Sequence, residues 1–277
     1  TVSLALTRSP FPVGLVYAVD LAGAALGCAA VVGILEVLDG PTAILAAGLA
    51  AAIAAMFLAH AATGQERARL SRRSPWRRPL AWVIVPAVAI PLNHGSRFGL
   101  RPVMVKDAIE TGWRSRTERW NSYSRILAYQ PVVTAPQLWS PSPKMPDGRR
   151  VQQAYLNIDG GAGTTMPHFD GTAESIDFLK YDLVNLAYHL PGIERSAVIG
   201  VGGGRDVMAA HLFGVKEITG VELNRIFIGL HLRDPFYSSF SNLRAIPGLT
   251  LHVDHARSWF AAASRSFALI HITLNAS

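Results

Sequence analysis

Two long apolar stretches occupy the first part of the chain, from Val13 to Leu38 and from Ala43 to Ala62. Roughly 20 apolar residues suffice for a helix to cross the hydrocarbon core of a bilayer, so each stretch predicts a membrane-spanning helix. Between them, the sequence Leu38-Asp-Gly-Pro-Thr42 is typical of a tight turn. The pattern therefore predicts a transmembrane helical hairpin. A soluble fold that buries two helices is the alternative.

A third apolar stretch, from Leu80 to Leu92, is shorter and contains Pro86 and Pro91. It predicts an interfacial or re-entrant segment, with a third span as the alternative. Six arginines precede it in one block: Arg67, Arg69, Arg72, Arg73, Arg77 and Arg78. The positive-inside rule places this block in the cytoplasm. We therefore expect an inner- or plasma-membrane protein whose C-terminal domain is cytoplasmic.

Small residues in the first predicted helix suggest a packing surface. Gly23 and Gly27 form a GxxxG pair flanked by alanines. Small side chains at this spacing allow two helices to approach closely in lipid, so the pair predicts helix–helix or homo-oligomer packing. An ordinary span rich in alanine and glycine is the alternative.

Short apolar bursts follow and predict strands of a small antiparallel sheet, at Pro102–Lys106, Arg125–Tyr129, Pro131–Val133 and Ala154–Ile158. A polar stretch from Arg114 to Arg119 lies between the first two. The last strand opens into a glycine- and threonine-rich loop from Asp159 to Thr165. From Asp170 to Leu190, apolar residues recur at helical spacing and predict one helix.

The second half of the chain has the pattern of a nucleotide- or nucleoside-binding βαβ unit. The apolar run Ala197–Ile199 predicts a buried strand, which leads into Gly200-Val-Gly-Gly-Gly-Arg-Asp206 and a helix starting near Asp206. A second strand, Glu217–Val221, ends on Glu222. A glycine turn lets backbone approach a ligand, and an acid about 20 residues later is where a ribose diol is usually held. A third strand, from Leu251, ends on Asp254.

Composition supports the membrane interpretation. Half of the residues are hydrophobic and only 16% are charged, which is unusual for a soluble protein. The net charge of +7 includes the arginine block, which favours a membrane-proximal loop over a nucleic-acid partner. The single cysteine, Cys28, excludes a disulfide framework and a cysteine-based metal site, so no metal is expected. The chain begins at Thr1 and ends just after an apparent core strand, so we interpret it as a fragment of a longer protein.

Three sequence segments resemble those of a known protein family: Leu15-Val-Tyr-Ala-Val-Asp-Leu-Ala-Gly23, Trp120-Asn-Ser-Tyr-Ser-Arg125 and Gly200-Val-Gly-Gly-Gly-Arg-Asp206. With Leu156-Asn-Ile-Asp-Gly160 and Val221-Glu222, the chain resembles the membrane-anchored spermidine synthase-like (polyamine aminopropyltransferase) family. The resemblance implies an α/β fold of the class I S-adenosylmethionine-dependent methyltransferase type. It also implies three regions: a membrane region (1–93), a small β-sheet region (94–165) and a truncated Rossmann-like parallel sheet (166–277).

The resemblance also implies a site for decarboxylated S-adenosylmethionine, or S-adenosylmethionine, as co-substrate. Glu222 would accept both ribose hydroxyls, and Asp254 would bind the adenine amino group. Asp159 would lie beside the nucleotide pocket, and Tyr181 and Asp182 near the amine substrate. The methionine-derived chain would be lined by the turn, which comprises Gly200, Gly202, Gly203 and Gly204 and is closed by Asp206.

The expected catalytic acids are absent from the last strand. The family's strand carries three aspartates, and here Ala268, Thr273 and Ala276 occupy those places. No residue is therefore predicted to be catalytic. The leading hypothesis is aminopropyl transfer to an amine such as putrescine, with methyl transfer as a variant. A catalytically silent nucleoside-binding domain on a transporter-like membrane unit is the alternative, and an NAD-dependent oxidoreductase is a lesser one.

Overall fold

A computed structural model describes residues 11–61, 77–96, 99–106, 108–109 and 115–273. The chain divides into two compact units. The first comprises Thr1–Pro102 with Trp120–Tyr123, and the second comprises Val103–Arg119 with Ser124–Ser277. The predicted β-sheet region and Rossmann-like region thus fall largely within one unit, and the predicted membrane region falls within the other.

The described residues of the first unit form α1 (Val13–Leu35), α2 (Gly40–Ala61) and α3 (Arg77–Gly95). The chain segments Val13–Leu35 and Gly40–Leu58 are long and apolar enough to cross a membrane, by length and composition alone. No residue of α1 is buried within the protein. A Cβ atom added to Gly23 or Gly27 would meet no other atom, so this face of α1 is open, and its packing role stays a prediction.

The predicted turn between the first two helices is the start of α2. The Asp39 carboxylate accepts hydrogen bonds from the Thr42 backbone N–H, at 2.8 Å, and the Thr42 hydroxyl, at 2.6 Å. This is the geometry of an N-terminal cap, and a proline in the first helical turn forfeits no intrahelical bond. The helix therefore begins at Gly40, earlier than the predicted Ala43.

Residues 80–92 lie within α3, which continues through Pro86 and Pro91. The Asn93 side-chain amide donates to the Thr42 hydroxyl at 2.8 Å, so the end of α3 lies beside the start of α2. Because α3 also packs along α2, the two helices run antiparallel. The apolar part of α3, Leu80–His94, is shorter than the two candidate spans, and both the interfacial position and the third span remain predictions.

The second unit contains a five-stranded antiparallel sheet and a separate two-stranded ribbon. The ribbon pairs β1 (Met104–Val105) with β2 (Ala108–Ile109). In the larger sheet, the order is β3-β4-β6-β5, with β7 on the other side of β6. Its strands are β3 (Ser115–Trp120), β4 (Arg125–Tyr129), β5 (Val132–Thr134), β6 (Val151–Ile158) and β7 (Ala162–Pro167).

Two of these strands were not predicted. Residues 115–119 of the predicted polar stretch form most of β3, and most of the glycine- and threonine-rich loop forms β7. Neither sequence carries the apolar alternation of a strand. Their strand conformation comes from pairing with a neighbour: Ala162 to Pro167 pair with Ile158 to Gln153 in register.

The single helix predicted from Asp170 to Leu190 is wrong. The segment instead forms a short helix α4 (Ala173–Ile176) and two 3₁₀ helices, Asp177–Tyr181 and Leu183–His189. Asp182 adopts extended backbone between the two and ends the first. The exposures of Leu183 (50%), Leu186 (63%) and Leu190 (65%) show that the predicted apolar face is not one buried stripe.

The parallel sheet agrees with the prediction. Its strands are β8 (Arg195–Ile199), β9 (Glu217–Glu222), β10 (Leu249–Val253) and β11 (Leu269–Ile272), in the order β10-β9-β8-β11. All three pairings are parallel. The connecting helices are α5 (Arg205–Leu212), α6 (Arg225–Leu232), α7 (Tyr237–Ser241) and α8 (Ala256–Ala262). Val198, Val207, Met208 and Ile218 lie in its buried core.

Candidate functional site

The glycine turn joins β8 to α5 at the carboxyl end of the sheet. Gly202 and Gly204 adopt positive φ angles, 48° and 86°, which side chains rarely tolerate. Gly203 has a different constraint, because a Cβ atom there would overlap the backbone carbonyl of Thr165 in β7. The turn therefore packs directly on the antiparallel sheet, and its glycines are required by conformation and by close approach.

Two side chains hold the backbone of Gly202 from opposite sides. Its N–H donates to Oε2 of Glu222 at 3.0 Å. Its carbonyl oxygen lies 2.8 Å from Nε2 of His231, on α6. The conformation of the turn is thus coupled to the end of β9 and to the helix that follows it.

Glu222 is buried, and both of its carboxylate oxygens already contact backbone donors. Besides the Gly202 bond, Oε1 accepts from the Asn224 N–H at 2.8 Å. Burial raises the pKa of Glu222 above its usual value, although these backbone N–H groups act in the opposite direction. A ribose diol would therefore use the remaining lone pairs of a carboxylate that the protein has already oriented.

Asp254 lies at the end of the neighbouring strand. Val253 of β10 is in register with Glu222 of β9, and the Asp254 N–H donates to the Glu222 carbonyl at 3.1 Å. Its side chain is exposed and accepts a hydrogen bond from the His255 N–H at 2.7 Å. The glycine turn, Glu222 and Asp254 thus follow the ends of three adjacent parallel strands, β8, β9 and β10.

The other side of β8 is the point where the strand order reverses, and ligands of open α/β sheets bind in such a crevice. Asp206, in the first turn of α5, lies here. Its Oδ2 accepts a hydrogen bond from the Thr273 hydroxyl just beyond β11 and lies 3.9 Å from Nε2 of His271. Burial raises the pKa of the Asp206 carboxyl. A carboxylate from α5 therefore contacts the strand from which the expected acids are missing.

Asp182 is enclosed by donors from the protein. Its carboxylate accepts hydrogen bonds from the backbone N–H groups of Trp139, at 3.1 Å, and Ser140, at 3.0 Å. It also pairs with the Arg205 guanidinium at 2.6 Å, and the exposed fractions of the two side chains are 0% and 7%. The structure thus gives Asp182 a partner for each oxygen inside the protein, and its role toward an amine stays a prediction.

Two further predicted residues lie elsewhere. Tyr181 is half-buried, with the Lys180 ammonium 5.1 Å from its ring centroid. Asp159 lies in the hairpin turn between β6 and β7, and its carboxylate accepts from the Arg125 N–H at 2.8 Å. The part of this hairpin that approaches the glycine turn is Thr164–Thr165. The ligand roles of Tyr181 and Asp159 remain predictions.

Sequence reasoning missed three contributors to this region. His231 lies among apolar residues of α6, and nothing in its spacing marks it as a partner of the turn. Thr165 belongs to a segment that was predicted as a loop. Asn224 could have been found, because an Asn that directly precedes a helix is a common N-cap; its side chain accepts from the Ile226 N–H at 3.0 Å. Among the described residues, no group of three His, Cys, Asp or Glu side chains could hold a metal ion.

No family model and no curated protein matches the chain. Similar solved structures include a spermidine synthase in complex with the transition-state analogue AdoDATO, with 16% identity and a TM-score of 0.36. Another is the spermidine synthase from Thermotoga maritima, with 16% identity and a TM-score of 0.38. Each alignment covers 57% of this chain and 47% of the other, so the chain spans about half the length of these proteins. TM-scores this far below 0.5 do not establish a family or an activity.

Proposed function

We propose that this chain is a membrane-attached, spermidine synthase-like transferase that binds decarboxylated S-adenosylmethionine or S-adenosylmethionine. The proposed reaction moves an aminopropyl group to an amine such as putrescine. One observation carries the nucleoside part of the proposal: the buried Glu222 carboxylate at the end of β9 is bonded to Gly202 of the glycine turn, with Asp254 at the end of the next strand.

Each of these groups has a chemical counterpart in an adenosyl thioether. A carboxylate held in place can accept two hydrogen bonds from a cis-diol, which suits Glu222 to the ribose. Asp254 is exposed beside it and can accept a hydrogen bond from an exocyclic amino group. The glycine turn would contact the chain attached to sulfur, because glycines let the backbone approach a ligand closely.

For the transfer itself, we propose that Asp206 is the acidic group beside the reacting atoms. A neutral amine nitrogen attacks the methylene carbon next to the sulfonium. The C–S bond breaks, and its electron pair stays on sulfur in the departing methylthioadenosine. The new ammonium must lose a proton, and a carboxylate with a raised pKa is a suitable acceptor. Asp206 contacts Thr273 at the position where the family carries an acid.

A catalytically silent nucleoside-binding domain is the second candidate. Ala268, Thr273 and Ala276 replace the acids of the resembling family. Asp182, the carboxylate suggested for the amine, is closed off in an ion pair with Arg205. These two observations favour binding without transfer.

The membrane part of the proposal rests on α1 and α2, the two candidate spans. We propose that the Rossmann-like domain is cytoplasmic, where nucleoside substrates are available, and that Gly23 and Gly27 pack against another helix. If α3 also crosses, the arginine-rich segment and the residues after Gly95 emerge on opposite sides. An experiment with sealed vesicles would decide whether α3 crosses the membrane. Single cysteines are introduced as Arg72→Cys and Ser239→Cys in a Cys28→Ser background and labelled with an impermeant reagent. Labelling of both from the same side requires that α3 does not cross.

Isothermal titration calorimetry on the full chain in detergent tests the nucleoside site. We expect methylthioadenosine and S-adenosylmethionine to bind and NAD not to bind. Binding of NAD alone would refute the proposal and support the oxidoreductase alternative. A second assay, which measures spermidine formed from putrescine and decarboxylated S-adenosylmethionine, separates the two candidates. Binding without product identifies the silent domain.

A further inference from the structure

His231 is completely buried and makes two well-formed hydrogen bonds. Its Nε2 lies 2.8 Å from the carbonyl oxygen of Gly202, and its Nδ1 lies 2.8 Å from the Ser241 hydroxyl. Gly202 belongs to the glycine turn, whereas Ser241 is the last residue of α7. A single imidazole thus joins the turn to a helix that contributes no group to the proposed nucleoside site.

The chemistry of these partners fixes the tautomer of His231. A carbonyl oxygen can only accept, so Nε2 must carry the proton and donate to Gly202. In a neutral imidazole, Nδ1 then accepts, and the Ser241 hydroxyl must donate to it. Burial lowers the pKa of His231 to about 4, so the ring is neutral near pH 7. The Gly202 carbonyl therefore fixes the tautomer, and the Ser241 hydroxyl orients the ring by donating to Nδ1.

We propose that His231 is a positioning residue that holds the glycine turn in its nucleoside-binding conformation, with Ser241 orienting the imidazole ring. The inference deepens the proposed function and rests on it. The Gly202 N–H is bonded to Glu222 and the Gly202 carbonyl to His231, so this peptide segment is restrained on both sides. Without the Nε2 donor, Gly202 can rotate, and the carboxylate that would hold the ribose loses its aligned partner.

Two substitutions separate this role from simple packing. In His231→Gln, the side-chain amide nitrogen is as many bonds from Cβ as Nε2 is, so it can still donate to Gly202. In His231→Asn, the amide ends at the position of Nδ1, so it can meet Ser241 but not Gly202. We expect the dissociation constant for methylthioadenosine to rise less than threefold in His231→Gln and about tenfold or more in His231→Asn, because a buried carbonyl loses its donor.

The binding measurement is made by calorimetry on the full chain at a temperature where circular dichroism shows each variant folded. Equal affinity of His231→Asn and wild type would overturn the inference and leave the proposed function intact. Equal weakening in both variants would also overturn it, since packing alone would then explain the loss. If neither variant folds, Ser241→Ala carries the test. It keeps the imidazole but removes the hydrogen bond that orients the ring, and we expect about threefold weaker binding, because the buried Nδ1 loses its donor; unchanged affinity would overturn the inference. Failure of wild type to bind methylthioadenosine refutes the proposed function itself.

Discussion

Substitution of Asp182 by asparagine should destabilise the second unit strongly. The change keeps the shape of the side chain and replaces one carboxylate oxygen by an amide that donates. One oxygen can still accept from Ser140, but the new amide would face the Trp139 N–H and the Arg205 guanidinium, both of which also donate. Arg205 would then be a buried charge, 7% exposed, without its carboxylate.

The size of the expected destabilisation follows from the burial of Arg205. Removal of one partner from a buried ion pair costs about 3–5 kcal/mol, mainly because the other charge stays desolvated. For a unit of this size, that corresponds to a fall in melting temperature of roughly 10 °C. Thermal unfolding of the full chain in detergent, followed by circular dichroism, measures the shift. Asp177→Asn is the matched control: its pair with Arg149 is about one-third exposed on each side, so we expect a loss below about 1 kcal/mol.

A double variant tests the same reasoning from the other direction. In Asp182→Asn with Arg205→Met, both charges are removed together, so no buried charge is left unpaired, and the asparagine carbonyl can still accept from a backbone N–H. We expect the double variant to be more stable than Asp182→Asn by at least about 2 kcal/mol. Equal melting temperatures for Asp182→Asn and Asp177→Asn would refute the argument, and so would a double variant less stable than Asp182→Asn.

Three further outcomes are expected. Gly203→Ala should weaken methylthioadenosine binding at least tenfold in calorimetry, because the new methyl group overlaps the Thr165 carbonyl; Gly229→Ala, which meets no atom, should bind as wild type does. Glu222→Gln should weaken the same binding about tenfold by placing a donor against backbone N–H groups, whereas Glu217→Gln, on the exposed far end of β9, should not. In urea unfolding, the free energy of unfolding of the wild type should fall by about 2 kcal/mol between pH 7 and pH 5 through protonation of His231, and this loss should be absent in His231→Gln. The folded pKa of about 4 lies below the unfolded value, so the unfolded chain takes up the proton in this range; an identical loss in the variant would contradict this.

The parallel sheet could be predicted because its signals are local. A buried parallel strand is a short apolar run, a glycine turn requires positive φ, and an acid at a strand end is visible in the sequence. The prediction of Ala197–Ile199, Glu217–Val221 and a third strand ending at Asp254 is confirmed by β8, β9 and β10. Parallel pairing in register then brings the ends of these strands to one edge of the sheet.

The remaining features depend on contacts between residues far apart in sequence. The 3₁₀ helices from Asp177 to His189 form around Asp182, whose partners Trp139 and Arg205 lie more than 20 residues away on either side. Strand β7 forms because β6 supplies hydrogen-bond partners, although its own sequence is typical of a loop. The proposed role of His231 also depends on distant residues, because it follows from the positions of Gly202 and Ser241. The spacing of residues in the sequence does not predict these positions.

The missing acids show how a motif and a site can differ. A strand motif assigns a role to each position along a strand, and by that criterion Thr273 stands where an acid is expected. In space, however, the proposed transfer would need a carboxylate near the crevice between β8 and β11, and the element that carries it would not matter. Asp206 comes from α5 and bonds to Thr273, so a side chain from a neighbouring element reaches the same place. If Asp206 serves as the proton acceptor, Asp206→Asn should retain methylthioadenosine binding and lose spermidine formation, whereas a silent domain would show no spermidine formation even before the substitution.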